Sequence, residues 1–190
     1  LVNKKGGGGA TSMDYMMTLP ADGNHTLTWT TGHAVSMALG KTKVKLSDMQ
    51  PLARGTDDPQ LFVVNCNNKI KEAKNFLSAQ KSNSLKYGTT HTGGIDDVSA
   101  IAFTKKGKLK DPTIVAYKGV APIKTNLIKG DIDVGVLNLG EAVTEIEEGK
   151  LCVSVVLASN RMEKLSNVPT ATELGIPVVL STVRGFVTKK

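Results

Sequence analysis

The groups of this 190-residue chain suited to chemistry are few: three histidines, two cysteines, 17 acidic residues and a set of hydroxyl-rich loops. His25, His33 and His91 show neither i,i+4 nor short-loop spacing, so no metal site is expected. Asp96 and Asp97 are adjacent, and adjacent side chains on a helix diverge, so they do not form a paired-carboxylate acid/base site. Capping and dipole chemistry at a helix start is the preferred reading of both. Cys66 and Cys152 lack a C-x-x-C partner. They follow or lie within apolar stretches that could be neighbouring strands, which allows a disulfide; two buried free thiols are the preferred reading. Gly6–Gly9 precede a helix and could offer N–H groups to an anion. No G-K-[ST] follows them and no clear strand precedes them, so a tight turn is preferred and a phosphate-using enzyme ranks last. No G-x-S-x-G elbow is present. No catalytic residue and no cofactor is assigned, and the chain is not read as an enzyme.

What remains is a set of loops that can hold a ligand, positioned by the stretch Val115–Leu157. Val115–Tyr117 is β-prone, and Lys118-Gly119 breaks it. Val120, Ile123, Leu127 and Ile128 then recur at the spacing of one helical face, with Gly130 where a C-cap glycine belongs. Ile132–Leu137 reads as a strand and Asn138-Leu139-Gly140 as a turn. Ala142, Val143 and Ile146 stripe a second helix closed by Gly149, and Leu151–Leu157 is a strand covered on both faces. This alternation predicts an α/β layer with a parallel or mixed sheet. Ligands of such sheets meet the loops leaving the carboxyl ends of strands, here Tyr117–Pro122 and Asn138–Glu141.

Upstream, His25–Thr31 alternates as a strand. Thr31-Gly32-His33 ends it, and Ala34–Leu39 is a short helix. His33 reads equally as a ligand donor and as a solvated loop histidine. Pro51–Arg54 is a candidate strand, Gly55–Pro59 a loop and Leu61–Asn65 an apolar strand. A helix is expected over about Lys71–Lys81 and a strand at Leu85–Tyr87. The loop Gly88–Gly94 then feeds a helix bearing Ile95, Val98, Ala102 and Phe103. Val168-Pro169-Thr170 opens a short helix stopped by Gly175, and Val178–Val187 is the last strand. Arg184 is read as facing solvent, with closure of a carboxylate site as the alternative.

The formal charge is +7. The lysines are dispersed and only 4% of residues are aromatic, so the stacking platforms of a nucleic-acid binder are missing and no nucleic-acid partner is expected. No apolar run is long enough to span a bilayer.

Several stretches together resemble one family: NKKGGGGATSMDY, PADGNHTLTWTTG, LFVVN, LKYG, VAYKGVAP, LIKGDIDVGVLN, EIEEGKL and NVPTATELG. They are similar to the solute-binding receptors of tripartite tricarboxylate transporters, the Bug-type periplasmic binding proteins. The resemblance implies an α/β, two-lobed periplasmic-binding-protein architecture (type II, Venus flytrap) with a mixed sheet in each lobe and two crossing strands. The crossings would be 61–65 and 151–155, with 66–150 in one lobe and 1–60 with 156–190 in the other. It also implies a periplasmic, monomeric protein that passes a small carboxylate to membrane permease subunits. By position, the ligand loops would contribute Thr30, Thr31, Gly32 and His33 from one lobe. From the other would come Thr89, Thr90, Thr92, Gly93, Tyr117, Lys118, Gly119 and Asn138. Family members carry further segments before Leu1 and after Lys190, so the chain is expected to be a fragment or an incomplete reading; no signal peptide is visible in it. The effector-sensing domain of a transcription regulator, which shares the two-lobed fold, is the alternative.

Overall fold

The computed structural model describes residues 1–90 and 92–190. The chain divides into two compact units. The larger comprises Pro59–Thr92 and Asp96–Ser181, and the smaller Leu1–Asp58, Gly93–Ile95 and Thr182–Lys190.

The larger unit is built on β3 (Leu61–Asn65), whose sequence LFVVN leaves no face for water. Phe62 and Val64 enter one apolar cluster, Leu61 and Val63 the other. On the first side, helices α3 (Ala73–Ser82) and α4 (Ile95–Lys106) bring Phe76 and Phe103 onto Phe62. On the second, α5 (Val120–Lys129) and α6 (Leu139–Glu147) supply Ile123, Leu127 and Ala142. The sheet adds β4 (Lys86–Thr89), β5 (Thr113–Ala116), β6 (Val134–Leu137) and β7 (Leu151–Val156), in the order β5-β4-β6-β3-β7. Strands β5, β4 and β6 are parallel, while β3 runs antiparallel to β6 and β7, so the sheet is mixed. Gly130 takes the left-handed conformation (φ 83°) that ends α5, as its position predicts. Gly135 lets α5 approach, since a Cβ there would lie 2.7 Å from Leu127 Cδ1.

Strand β7 is buried on both faces although it forms a sheet edge. The register jumps from Phe62 opposite Val155 to Val63 opposite Val153, which leaves Ser154 as a bulge. Its hydroxyl donates to Ile70 O at 2.8 Å, so the buried oxygen is satisfied.

The smaller unit holds a three-stranded sheet in the order β1-β8-β2. It is formed by β1 (Leu27–Thr30), β2 (Met49–Pro59) and β8 (Ser181–Lys189), together with α1 (Ala10–Thr18) and α2 (Thr31–Ala38). Met13, Val44, Met49 and Val187 are its core.

The structure corrects several expectations. Gly55–Pro59 is not a loop but the second half of β2, held by its neighbour rather than by propensity. The two chains approach so closely that a Cβ on Gly185 would lie 2.3 Å from Ala53 O. Thr31-Gly32-His33 does not end the strand in a loop; it is the first turn of α2. Gly88 and Thr89 belong to β4 rather than to the loop after it. The segment after Pro169 makes turns instead of a helix, because Gly175 at φ 80° closes it after one turn, with the Ile176 N–H returning to Ala171 O. Glu173 accepts the Thr170 N–H at 2.7 Å and is itself held by Arg161 at 2.9 Å. The last strand begins at Ser181, not Val178.

Cys66 and Cys152 form a disulfide and are not free thiols. Cys66 directly follows β3, Cys152 lies in β7, and antiparallel pairing brings their Cα atoms to 5.0 Å. That separation suits a disulfide. The bond closes a loop with a sequence separation of 86 residues. Loop-closure entropy then gives it a worth of about 4.6 kcal/mol. Urea titration of the Cys66→Ser/Cys152→Ser double variant against the parent should show a loss of about that size. Reduction of the parent should reproduce it, and an unchanged midpoint would contradict the entropic account.

Candidate functional site

Because β4, β5 and β6 are parallel neighbours, Thr89, Ala116 and Leu137 end at one edge of the sheet. Each strand leads through a short loop into a helix, so the starts of α4, α5 and α6 gather there. Orphan N–H groups at such starts attract anions unless something else occupies them.

At α4 a residue from before the helix reaches its first turn. Thr90 donates its N–H (2.9 Å) and its hydroxyl (2.6 Å) to Asp96 Oδ2. Asp96 and Asp97 both lie buried in the first turn, which fits the capping reading. At α6, Asn138 is the N-cap, with its N–H donating to Glu141 Oε2 at 2.9 Å. Its Nδ2 donates to Pro59 O at 3.2 Å, and the residue is only 5% exposed. Asn138 is therefore a cap rather than an open donor.

The start of α5 differs. Tyr117 donates its N–H to Thr89 O at 2.8 Å and extends the β4–β5 ladder by one residue. Lys118 is exposed, and Gly119 holds φ 100°, a region that favours glycine. No side chain caps this helix and no acid lies in its first turn. Pro122 has no N–H to satisfy, so the open donors concentrate on the residues before it. The Thr89 hydroxyl is fully buried and makes no hydrogen bond among the described residues. Thr92 is exposed, and His91 lies outside the described residues.

In the smaller unit, Thr30 and His33 cap α2 reciprocally. The Thr30 N–H donates to His33 Nδ1 at 3.0 Å, so the neutral ring carries its proton on Nε2, which faces Ser12 Oγ at 3.4 Å. The ring stacks on Trp29 at 5.2 Å and is 8% exposed, so His33 is not a solvated loop histidine. Burial holds its pKa below the usual histidine value. Thr31 Oγ1 accepts the Val183 N–H at 2.8 Å, which ties α2 to β8. The glycine tract is a turn packed on α2: Ser36 Oγ donates to Gly8 O at 2.8 Å, and a Cβ on Gly9 would lie 2.6 Å from the His33 ring. Gly93, also in this unit, sits at φ 72° beside Leu39 and Lys41. Arg184 pairs with Asp58 rather than facing solvent alone.

The sequence-predicted residues thus form two sets. Thr30, Thr31, Gly32, His33 and Gly93 lie in the smaller unit. Thr89, Thr90, Thr92, Tyr117, Lys118, Gly119 and Asn138 lie in the larger. Val120 and Ala121, within the expected loop Tyr117–Pro122, add first-turn amides; their signal is a glycine, not Ser, Thr, Asp or Asn, immediately before an apolar helix. Among the described residues no group of three His, Cys, Asp or Glu could hold a metal, and no helix is long and apolar enough to cross a membrane.

The sequence profile of the tripartite tricarboxylate transporter family receptor (TctC) matches residues 1–190. The chain belongs to this family. A TctC solute-binding protein from Polaromonas is 26% identical, with a TM-score of 0.87 over 100% of this chain and 65% of that one. MatC from Rhodopseudomonas palustris, solved with bound malate, is 25% identical, with a TM-score of 0.75 over 97% of this chain and 64% of that one. A UPF0065 protein of Agrobacterium vitis, from the TAR-I ttuE-ttuC' intergenic region, is 26% identical over 92% of this chain and 51% of its own length. The chain therefore spans about half of that curated relative and just under two thirds of those structures. The α/β architecture with its mixed sheet is that of these periplasmic binding proteins.

His33 gives this chain a titration signature. Its depressed pKa means that, below about 6.5, the unfolded chain takes up a proton that the folded ring refuses. Stability should fall as pH drops from that value toward the lower folded pKa. Melting temperatures at pH 7.5 and 5.5 should differ more for the parent than for His33→Asn, and equal slopes would refute the role.

Proposed function

We propose that the chain is the solute-holding part of an extracytoplasmic binding protein. It captures a small organic acid between two lobes and delivers it to the membrane permease subunits of a tripartite tricarboxylate-type transporter. The observation that carries this reading is the start of α5, where uncapped amides stand next to Lys118 with no first-turn acid to repel an anion. A carboxylate there would gain charge-assisted hydrogen bonds without any covalent step. Family membership and the malate held by MatC support a carboxylate as the ligand class. The disulfide suits an oxidising, extracytoplasmic compartment.

In this reading Thr30–His33 serve from one lobe, and Thr89, Thr90, Thr92, Gly93, Tyr117–Gly119 and Asn138 from the other. The lobes are 1–60 with 156–190 and 66–150, joined by crossings at 61–65 and 151–155. Ligand binds the closed arrangement better than the open one and so shifts the population toward closure. The buried Thr89 hydroxyl supplies a further donor near the strand end. Backbone and water-mediated contacts carry little side-chain code, so the site tolerates several acids. The receptor acts as a monomer and performs no catalysis. The profile match over residues 1–190 weighs against the effector-sensing alternative.

A melting-shift panel of dicarboxylates, amino acids and aromatic acids tests this. The cognate acid should stabilise the protein by about 2.7 kcal/mol at a hundredfold excess over Kd. Gly119→Ala, strained at φ 100°, should weaken binding roughly tenfold while the protein stays folded. A full-length protein indifferent to every acid in the panel would sink the proposal.

A further inference from the structure

We propose that a lysine-rimmed groove on the larger unit docks an acidic segment of a partner protein that carries one large apolar side chain. Helices α3 and α4 end side by side, and with the segment 174–176 they enclose a groove of about 580 Å³. Its floor is apolar: Leu77 and Leu109 are half-buried, and Ile176 is 4% exposed. Lys81, Lys106 and Lys108 stand exposed around it. No carboxylate lines the groove, and none of these ammonium groups is in an ion pair among the described residues.

Lysines in the last turn of a helix complement its dipole, and that accounts for Lys81 and Lys106. It does not account for Lys108, which lies beyond the end of α4 at φ 51°, the one non-glycine residue with positive φ among those described. Glycine or asparagine fits that position without the steric conflict a lysine meets there. The turn itself closes α4, with the Lys108 and Leu109 N–H groups donating to Lys105 O and Thr104 O, and it leaves the Lys108 side chain exposed at the rim. Lys110 is a contrast: its Nζ donates to Ser82 O at 2.5 Å and so is engaged with the end of α3.

The shape selects the partner. A bilayer presents a plane, and its headgroups would meet the lysines without reaching the recessed leucines. A peptide can place carboxylates on the rim and insert an aromatic or branched side chain between them. The groove lies wholly within the larger unit and does not depend on where the solute binds.

The test uses a fluorescently labelled acidic hexapeptide with one central phenylalanine, read by anisotropy against the whole protein. Binding should saturate, weaken about tenfold in Lys106→Glu and decline with added salt. Replacing the peptide's phenylalanine by alanine should remove it. Lys108→Gly separates structure from docking: relief of strain should raise the melting temperature while affinity falls. Unchanged affinity in both variants would overturn the proposal, as would a parent protein that ignores the peptide. Sedimentation with phosphatidylglycerol vesicles in the absence of peptide binding would overturn it in favour of a membrane surface.

Discussion

Strand β3 has to be dry on both sides, and the larger unit is arranged around that requirement. Four consecutive apolar residues alternate between two clusters, so helices must cover both faces and a strand must flank each edge. Phe62 is the centre of the first cluster, with Phe103 at 4.9 Å, Tyr87 at 5.5 Å and Phe76 at 5.8 Å between ring centroids. The Tyr87 hydroxyl reaches into this interior only because Gln80 accepts from it at 3.0 Å and Gln80 Nε2 in turn donates to Lys110 O at 2.8 Å. Burial drives the Tyr87 pKa far up, with Asp133 adding to the effect, so the ring stays neutral at any physiological pH. Edge-to-face aromatic packing of this kind fixes positions as well as adding stability. A sheet so constrained delivers the ends of β4, β5 and β6 to one edge with little freedom.

At that edge the three helix starts have been treated differently. At α6 the start is closed by Asn138 with Glu141, and at α4 the first turn carries Asp96, which accepts the Thr90 N–H. The third is left to glycine and a neighbouring lysine. Carboxylates at two of the three neighbouring starts hold negative charge where an anion would otherwise sit, and the first turn of α5 has none. The same economy of capping organises the smaller unit, where a neutral histidine takes the part that glutamate usually plays at the third helical position. Its ring is held between Trp29 and Gly9, which is why position 9 must be a residue without a side chain.

The central stretch was legible because its signals agree. Apolar spacing, the terminal glycines at 130 and 149 and the unbroken run at 151–157 all demand the elements observed. Legibility failed where partners rather than local preference decide. The polar half of β2 has no apolar alternation, and only its close neighbour β8 makes it a strand. Thr31–His33 looked like a loop because histidine is an unusual cap, and the bond from Thr30 that makes it one spans two elements' ends. The cysteines are far apart in sequence, so their pairing follows from the β3–β7 register, which no local pattern encodes. Seven of the predicted site residues do cluster by unit and strand end, since that edge follows from chain order alone.

The covalent bridge between positions 66 and 152 has an order built into it. Every strand of the parallel set and four helices lie between its two sulfurs. On any vectorial route, whether leaving a ribosome or crossing a pore, the first thiol emerges long before the second. It has to wait unpaired while the whole intervening segment appears. Oxidation therefore acts as a closing stamp on a nearly finished unit, and only a chain that has already aligned β7 against β3 presents the second sulfur within reach.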